Sequence, residues 1–200
     1  MKNVRFALFD LGNVLVHIHP AEFTRTLGIT DKPAIELHRD GIVSLVRQYE
    51  NGDLTTEEYL DGLDRLFDSR YSANELQQAM LAVIGEPIAG MEEVVHHVRA
   101  QMPVALVSNT NELHFEYSLK SVPAVRLMSS YFLSYKLQAS KPDSSYYAQV
   151  LDALGVDPSE VIFIDDLSEN VEGASKAGMR GVHFRNVDDL SESLRGHGVL

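Results

Sequence analysis

Three short, almost unbroken apolar runs punctuate this chain at residues 4–9, 103–107 and 161–164, with a shorter fourth at 181–184. Each is too brief and too uniformly apolar for a surface helix, whose apolar stripe covers only one side. Runs of this kind suit strands buried on both faces, as in a parallel sheet. Residues 131–137 form a weaker, mixed candidate. Between the runs the spacing turns helical. Met91, Val94, Val95 and Val98 recur with a 3.6-residue period, as do Tyr146, Tyr147, Val150, Leu151 and Leu154. Alternating strand and helix predicts right-handed crossovers and an α/β fold built on a doubly wound, mostly parallel sheet.

The stretch from 20 to 85 breaks that alternation. It carries helical patterns and no convincing strand. Thr55 with Glu58, and Ser72 with Glu75, each match a capping box ahead of an apolar stripe. Tyr59, Leu60, Leu63, Leu66 and Phe67 form one stripe, and Leu76, Met80, Val83 and Ile84 the next. Such a length of helix exceeds an ordinary crossover. The pattern predicts a sheet domain from 1–16 and 88–200, with an all-helical cap subdomain inserted at 17–87. Gly85, Glu86 and Pro87 are expected to mark the return to the sheet. Phe23, Tyr49, Tyr59 and Phe67 are expected to build the cap's own small core.

A length of 200 residues allows one α/β domain with such an insertion. The net charge of −12 repels phosphate backbones, so nucleic acid is not an expected partner. It would repel a small phosphorylated metabolite too, unless a cation or a local lysine reverses the field at one site. No cysteine is present, which excludes thiolate metal sites, thiol nucleophiles and dithiol redox chemistry. The apolar stretch from 4 to 18 is interrupted by Arg5, Asp10, Asn13 and His17, so neither a membrane span nor a secretory signal is read there. The expected location is the cytoplasm.

Each apolar run ends in polar residues. The first gives Asp10-Leu11-Gly12-Asn13, the second Ser108-Asn109-Thr110-Asn111, and the one at 161–164 gives Asp165-Asp166. Lys141 follows the weak third strand. Open α/β sheets bind ligands outside the carboxyl ends of their strands, so these groups are expected to converge. Asp10, Asp165 and Asp166 crowded together would repel one another unless a cation lay among them. With oxygen ligands alone the cation is hard, and Mg²⁺ is the usual choice beside phosphates. Ser108 and Asn109 can donate hydrogen bonds to phosphoryl oxygens, and Lys141 can balance transition-state charge. Asp10 is then free to attack phosphorus and form an aspartyl-phosphate. The predicted chemistry is phosphoryl transfer.

These residues carry a family resemblance. Phe9-Asp10-Leu11-Gly12-Asn13-Val14-Leu15, Val107-Ser108-Asn109, Ser140-Lys141-Pro142-Asp143 and Asp165-Asp166 with Asn170, Gly173-Ala174 and Ala177-Gly178 resemble the four ordered motifs of the haloacid dehalogenase-like hydrolases. The opening motif is similar to that of the branch containing bacterial α-D-glucose-1-phosphate phosphatase. A helical cap inserted after the first motif also fits, and the resemblance implies that it opens, closes and selects the substrate. It implies that Asp10 is both nucleophile and metal ligand and that Gly12 offers its backbone carbonyl to Mg²⁺. Ser108, Asn109 and Lys141 would hold phosphate. Asp166 would be the direct carboxylate ligand, and Asp165 a ligand through water or a supporting partner.

Gly12 departs from the common pattern, in which a second aspartate serves as general acid and base, an assistance worth about 10²–10⁴-fold. Either activity is weak, or the leaving group needs less protonation, as the anomeric hydroxyl of a sugar 1-phosphate does. Dehalogenases of the superfamily also lack that aspartate, but they use no metal and do not keep the acidic pair. A signalling receiver module groups similar residues, yet its acidic pair follows the first strand. A catalytically idle binding relative is the remaining alternative. His17 and His19 lie where the chain leaves the sheet. Two histidines are a thin ligand set for a transition metal, and one of them is a candidate for contacting substrate or replacing the acid missing at Gly12. Adjacent His96 and His97 read as a solvated or half-buried helix face.

Overall fold

The computed structural model describes residues 3–200. The chain makes β1 (Phe6–Phe9) and β2 (Val16–Ile18), then four helices, α1 (Ala21–Thr26), α2 (Lys32–Glu50), α3 (Thr56–Leu66) and α4 (Ala73–Leu81). Strand β3 (Ile84–Pro87) and helix α5 (Met91–Arg99) lead to β4 (Val104–Ser108). Next come α6 (Glu112–Ser121), the one-turn α7 (Pro123–Arg126), β5 (Ser130–Leu133), the one-turn α8 (Ser134–Leu137) and α9 (Ser144–Leu154). The chain closes with β6 (Val161–Asp165), α10 (Ser168–Lys176), β7 (Arg180–His183) and α11 (Val187–Gly196).

Five strands form one parallel sheet in the order β5-β4-β1-β6-β7. Its central strand explains why the first run is so apolar. Successive strand residues face opposite sides. Ala7 and Phe9 pack with Met91 and Val95 of α5 and Leu190 of α11, whereas Leu8 packs with Tyr146, Tyr147 and Val150 of α9. Both faces are covered, so no polar position is tolerated along β1. From β1 the chain first adds β4 and β5 on one side and then β6 and β7 on the other, so strand order reverses at β1. That reversal opens a crevice at the carboxyl edge.

Helices α1–α4 bury an apolar cluster of their own, including Phe23, Tyr49, Tyr59, Phe67 and Met80. Both capping boxes form: Thr55 and Ser72 accept from the N–H groups of Glu58 and Glu75, whose carboxylates reach back. Each such cap stabilises its helix by about 1 kcal/mol.

Two sequence expectations change. Residues 85–87 belong to an antiparallel ribbon in which Val16 pairs with Pro87 and Ile18 with Ile84. Strands of three and four residues, far apart in the chain and joined by no hairpin turn, leave no periodic signal. The strand expected over 131–137 stops at Leu133 and gives way to α8. There the Ser134 hydroxyl accepts from the Thr110 N–H and reaches the Glu50 carbonyl, so a side chain replaces the sheet ladder. No helix among the described residues is long and apolar enough to cross a membrane.

Candidate active site

Parallel strands deliver their last residues to one edge, and here β1, β4 and β6 end side by side. The Asp10 N–H donates to the Ile164 carbonyl, which continues the ladder and sets Asp10 beside Asp165. Lys141, between α8 and α9, sends its ammonium into the gap. Its Nζ donates to Asp10 Oδ1 at 2.6 Å, to Asp165 Oδ2 at 2.7 Å and to the Val107 carbonyl at 3.1 Å. Three donors meet three acceptors, which is how a buried cation is made tolerable.

Asp165 is wholly buried and fully engaged. Its Oδ2 takes Lys141, while Oδ1 accepts from the Leu167 N–H and from Asn170 Nδ2, both at 2.9 Å. Asn170 is itself held by the Tyr147 hydroxyl, which donates to the Asn170 carbonyl at 2.8 Å. Tyr147 and Tyr146 thus remain core residues, as their spacing indicated, but Tyr147 also braces the site.

Burial pushes the Asp10 carboxyl up to about 6; Asp165 adds to the rise, and Lys141 opposes it. For Lys141 burial favours the neutral amine, but attraction to Asp10 and Asp165 outweighs it and holds the ammonium above its ordinary value. Asp166 is raised by burial first and by Asp165 next, with Asn13 pulling the other way.

Asp166 is the more accessible member of the acidic pair. Its Oδ2 accepts from Asn13 Nδ2 at 3.3 Å, and its backbone carbonyl pairs with His183 Nε2 at 2.8 Å. Asn13 adopts a left-handed conformation, φ 52°, which its short polar side chain favours more than most. Its other side-chain atom, Oδ1, accepts from the Ile18 N–H. One side chain therefore spans a site carboxylate and strand β2.

Ile18 covers Gly12. A side chain on Gly12 would meet Ile18 Cγ1 at 3.1 Å from its Cβ, so an apolar wall stands where a second acid would project. His17 and His19 flank Ile18 in sequence, His17 within β2 and His19 just past its end. Their rings stack, and His19 faces Glu86 at 3.5 Å. Both rings thus sit beside the β2–β3 ribbon, close to where the chain leaves the sheet.

Asn109 sits at the same edge and pairs with the Lys141 backbone. Its Oδ1 accepts from the Lys141 N–H at 2.9 Å and its Nδ2 donates to the Lys141 carbonyl at 2.8 Å. This amide clamps the backbone of the lysine and so places Lys141. Ser108 is buried at the same edge, and among the described residues its hydroxyl makes only a long contact with the Asn109 carbonyl. Asn111 caps α6 by accepting from the His114 N–H.

The acidic trio suits a divalent cation. Asp10, Asp165 and Asp166 each offer one oxygen, and these atoms lie within 4.8 Å of one another. Three ionised carboxylates against one ammonium leave two negative charges for a cation to balance. All-oxygen donors select a hard ion.

The helical insertion is fastened over this edge. His114 Nε2 lies 2.9 Å from the Met80 carbonyl, and Nδ1 lies 3.1 Å from Asn111 Nδ2. A carbonyl needs a donor, so Nε2 carries the proton and Nδ1 accepts from Asn111. Burial lowers the pKa of His114, in keeping with this neutral ring. Nearby, the Tyr49 hydroxyl joins Thr56 and accepts from the Leu113 N–H, and Thr56 bonds Glu112.

A family model described as haloacid dehalogenase-like hydrolase matches residues 4–178. This chain belongs to that family. Among curated relatives, it is 26% identical to D-ribitol-5-phosphate phosphatase of Bacteroides thetaiotaomicron, over 97% of each protein. It is also 26% identical to (S)-2-haloacid dehalogenase 4A of Burkholderia cepacia, over 95% of this chain and 87% of that protein. A magnesium complex of a family enzyme from B. thetaiotaomicron superposes with TM-score 0.85 at 26% identity, covering 97% of this chain and all of that one. Asn13, Asn170 and the Val107 carbonyl join the site in the structure. The first two stand inside the sequence motifs, but only the fold shows what they hold.

Proposed function

We propose that this hydrolase is a Mg²⁺-dependent phosphatase that cleaves a small phosphomonoester through an aspartyl-phosphate on Asp10. The observation that carries this reading is the Lys141 ammonium held between Asp10 and Asp165, with Asp166 beside them. Bound Mg²⁺ would draw charge from the phosphoryl oxygens and lower the pKa of Asp10. Asp10, Gly12 through its carbonyl, and Asp166 would hold the ion, with Asp165 supporting them. Its Oδ1 is already taken by two donors and its Oδ2 by Lys141, which leaves Asp165 little capacity for direct ligation.

An Asp10 oxygen attacks phosphorus, the ester P–O bond breaks, and the bonding pair leaves on the alcohol oxygen. Water then attacks the acyl phosphate, restoring the Asp10 carboxylate and releasing phosphate. Lys141, placed by Asn109, offsets the charge of the equatorial oxygens, and Ser108 donates to one of them. No side chain at residue 12 protonates the leaving oxygen. This favours alcohols that depart readily, such as the anomeric hydroxyl of a sugar 1-phosphate. The D-ribitol-5-phosphate phosphatase relative supports a phosphorylated polyol or sugar more broadly. The acidic pair argues against a metal-free dehalogenase, despite the haloacid dehalogenase relative.

Phosphate release from p-nitrophenyl phosphate and a panel of sugar and polyol phosphates, with and without EDTA, tests the reading. Turnover should need Mg²⁺ and vanish in Asp10→Asn. Silence across the panel would overturn it in favour of an idle binding protein, and turnover that persists in Asp10→Asn would overturn the nucleophile.

A further inference from the structure

One carboxylate on the seam between the helical insertion and the sheet is left without a partner. Its neighbours pair: Tyr49 with Thr56 and Leu113, Thr56 with Glu112, His114 with Met80. Glu50, the last residue of α2, engages only through its backbone carbonyl, which faces the Ser134 hydroxyl. Among the described residues no hydrogen bond or ion pair reaches its carboxylate, although the residue is half-buried.

We infer that Glu50 is a specificity-determining residue whose carboxylate accepts hydrogen bonds from hydroxyl groups on the organic part of the phosphomonoester. This rests on the phosphatase reading above. Position is the first argument. Ser134 follows β5 and also bonds Thr110, which follows β4, so Glu50 is pinned to the carboxyl edge where ligands of such sheets bind. Two residues on, Gly52 (φ 78°) lies against the Tyr135 carbonyl, where any Cβ would collide. The turn after α2 is therefore pressed onto the sheet domain, and Glu50 is held at its rim.

Chemistry is the second argument. A half-buried carboxyl group without a partner loses hydration and gains nothing in return, so such groups are normally paired. Ionised, Glu50 offers only acceptors, and its complement is a donor. Burial alone pushes its pKa up to about 7, with no neighbouring charge contributing. Its backbone anchor, Ser134, is a different residue from those that hold Asp10, which assigns Glu50 to the organic part of the ester rather than to the phosphoryl group.

The experiment compares kcat/KM for a pentitol 5-phosphate, phosphoethanolamine and phenyl phosphate in the wild type, Glu50→Ala and Glu50→Gln. In Glu50→Ala the pentitol-to-phenyl ratio should fall about ten-fold or more, through KM, as expected for loss of hydrogen bonds to a charged group. Glu50→Gln, which keeps a neutral acceptor, should fall less. Any loss of folded protein cancels in the ratio. An unmoved ratio in both variants overturns the inference, as does a fall confined to phosphoethanolamine, which would assign Glu50 to an ammonium group. A wild type inactive on all three esters overturns the phosphatase reading itself.

Discussion

Ile18 Cγ1 occupies the approach to Gly12, standing 3.1 Å from where a Cβ would be. Strand β2 thus supplies an apolar lid at the position from which an acid would reach the leaving oxygen. Gly12→Asp combined with Ile18→Ala should restore such an acid without a clash. Turnover of an alkyl phosphate is expected to rise by about ten-fold or more, a fraction of the full value of general acid catalysis. Release of p-nitrophenol, which departs without a proton, should change little. Equal gains on both esters would contradict this account of the missing acid.

Lys141→Met removes the cation that Asp10 and Asp165 share while their carboxylates stay buried. Breaking a buried pair in this way costs about 3–5 kcal/mol, most of it the penalty of uncompensated charge. Urea unfolding in EDTA should show a loss of that order, and phosphate release should fall below detection. A variant as stable as the wild type would mean that the pair is solvated in solution.

Asn13→Ala should weaken Mg²⁺ binding by about 10–100-fold, because a carboxylate that has lost its orienting partner ligates less well. Titration calorimetry measures this directly. The same variant frees the Ile18 N–H, so amide exchange there should accelerate. Unchanged metal affinity would confine Asn13 to a structural turn.

Glu50 also leaves a mark on stability. Its folded pKa of about 7 lies above the ordinary value of 4.5. Between those values the folded state binds the extra proton, so stability falls as pH rises from about 4.5 through 7. Above pH 7 the buried charge is a net cost. Glu50→Gln should therefore equal the wild type below pH 4 and exceed it at pH 8, by at most about 3 kcal/mol. Thermal unfolding across that range decides it; a constant difference at every pH would refute the titration.

How much of this was legible beforehand follows from where each residue sits. Asp10, Asp165 and Asp166 stand where apolar runs stop, and a parallel sheet brings such ends together. Their convergence with Lys141 was therefore readable from pattern. Asn109 was readable as a site residue but not as a clamp on Lys141, because the pairing depends on a loop conformation. Asn13 meets Asp166 across 153 positions, a contact that no local spacing announces. The β2–β3 ribbon escaped because three or four residues carry too little alternation to outweigh the helices between them. Glu50 ends an ordinary helical pattern, and only the fold reveals that its carboxylate is solitary.

The ammonium of Lys141 meets Asp10 across a sequence separation of 131, and β1 sits in the middle of the sheet. Nothing local can pre-form that triad, since closing so long a loop is among the slowest steps available to a chain. Enzymatic competence and full assembly of the sheet must therefore arrive together. A nascent or partly unravelled molecule would be silent toward its substrate, and recovery of turnover after dilution from denaturant would time the arrival of the last strands.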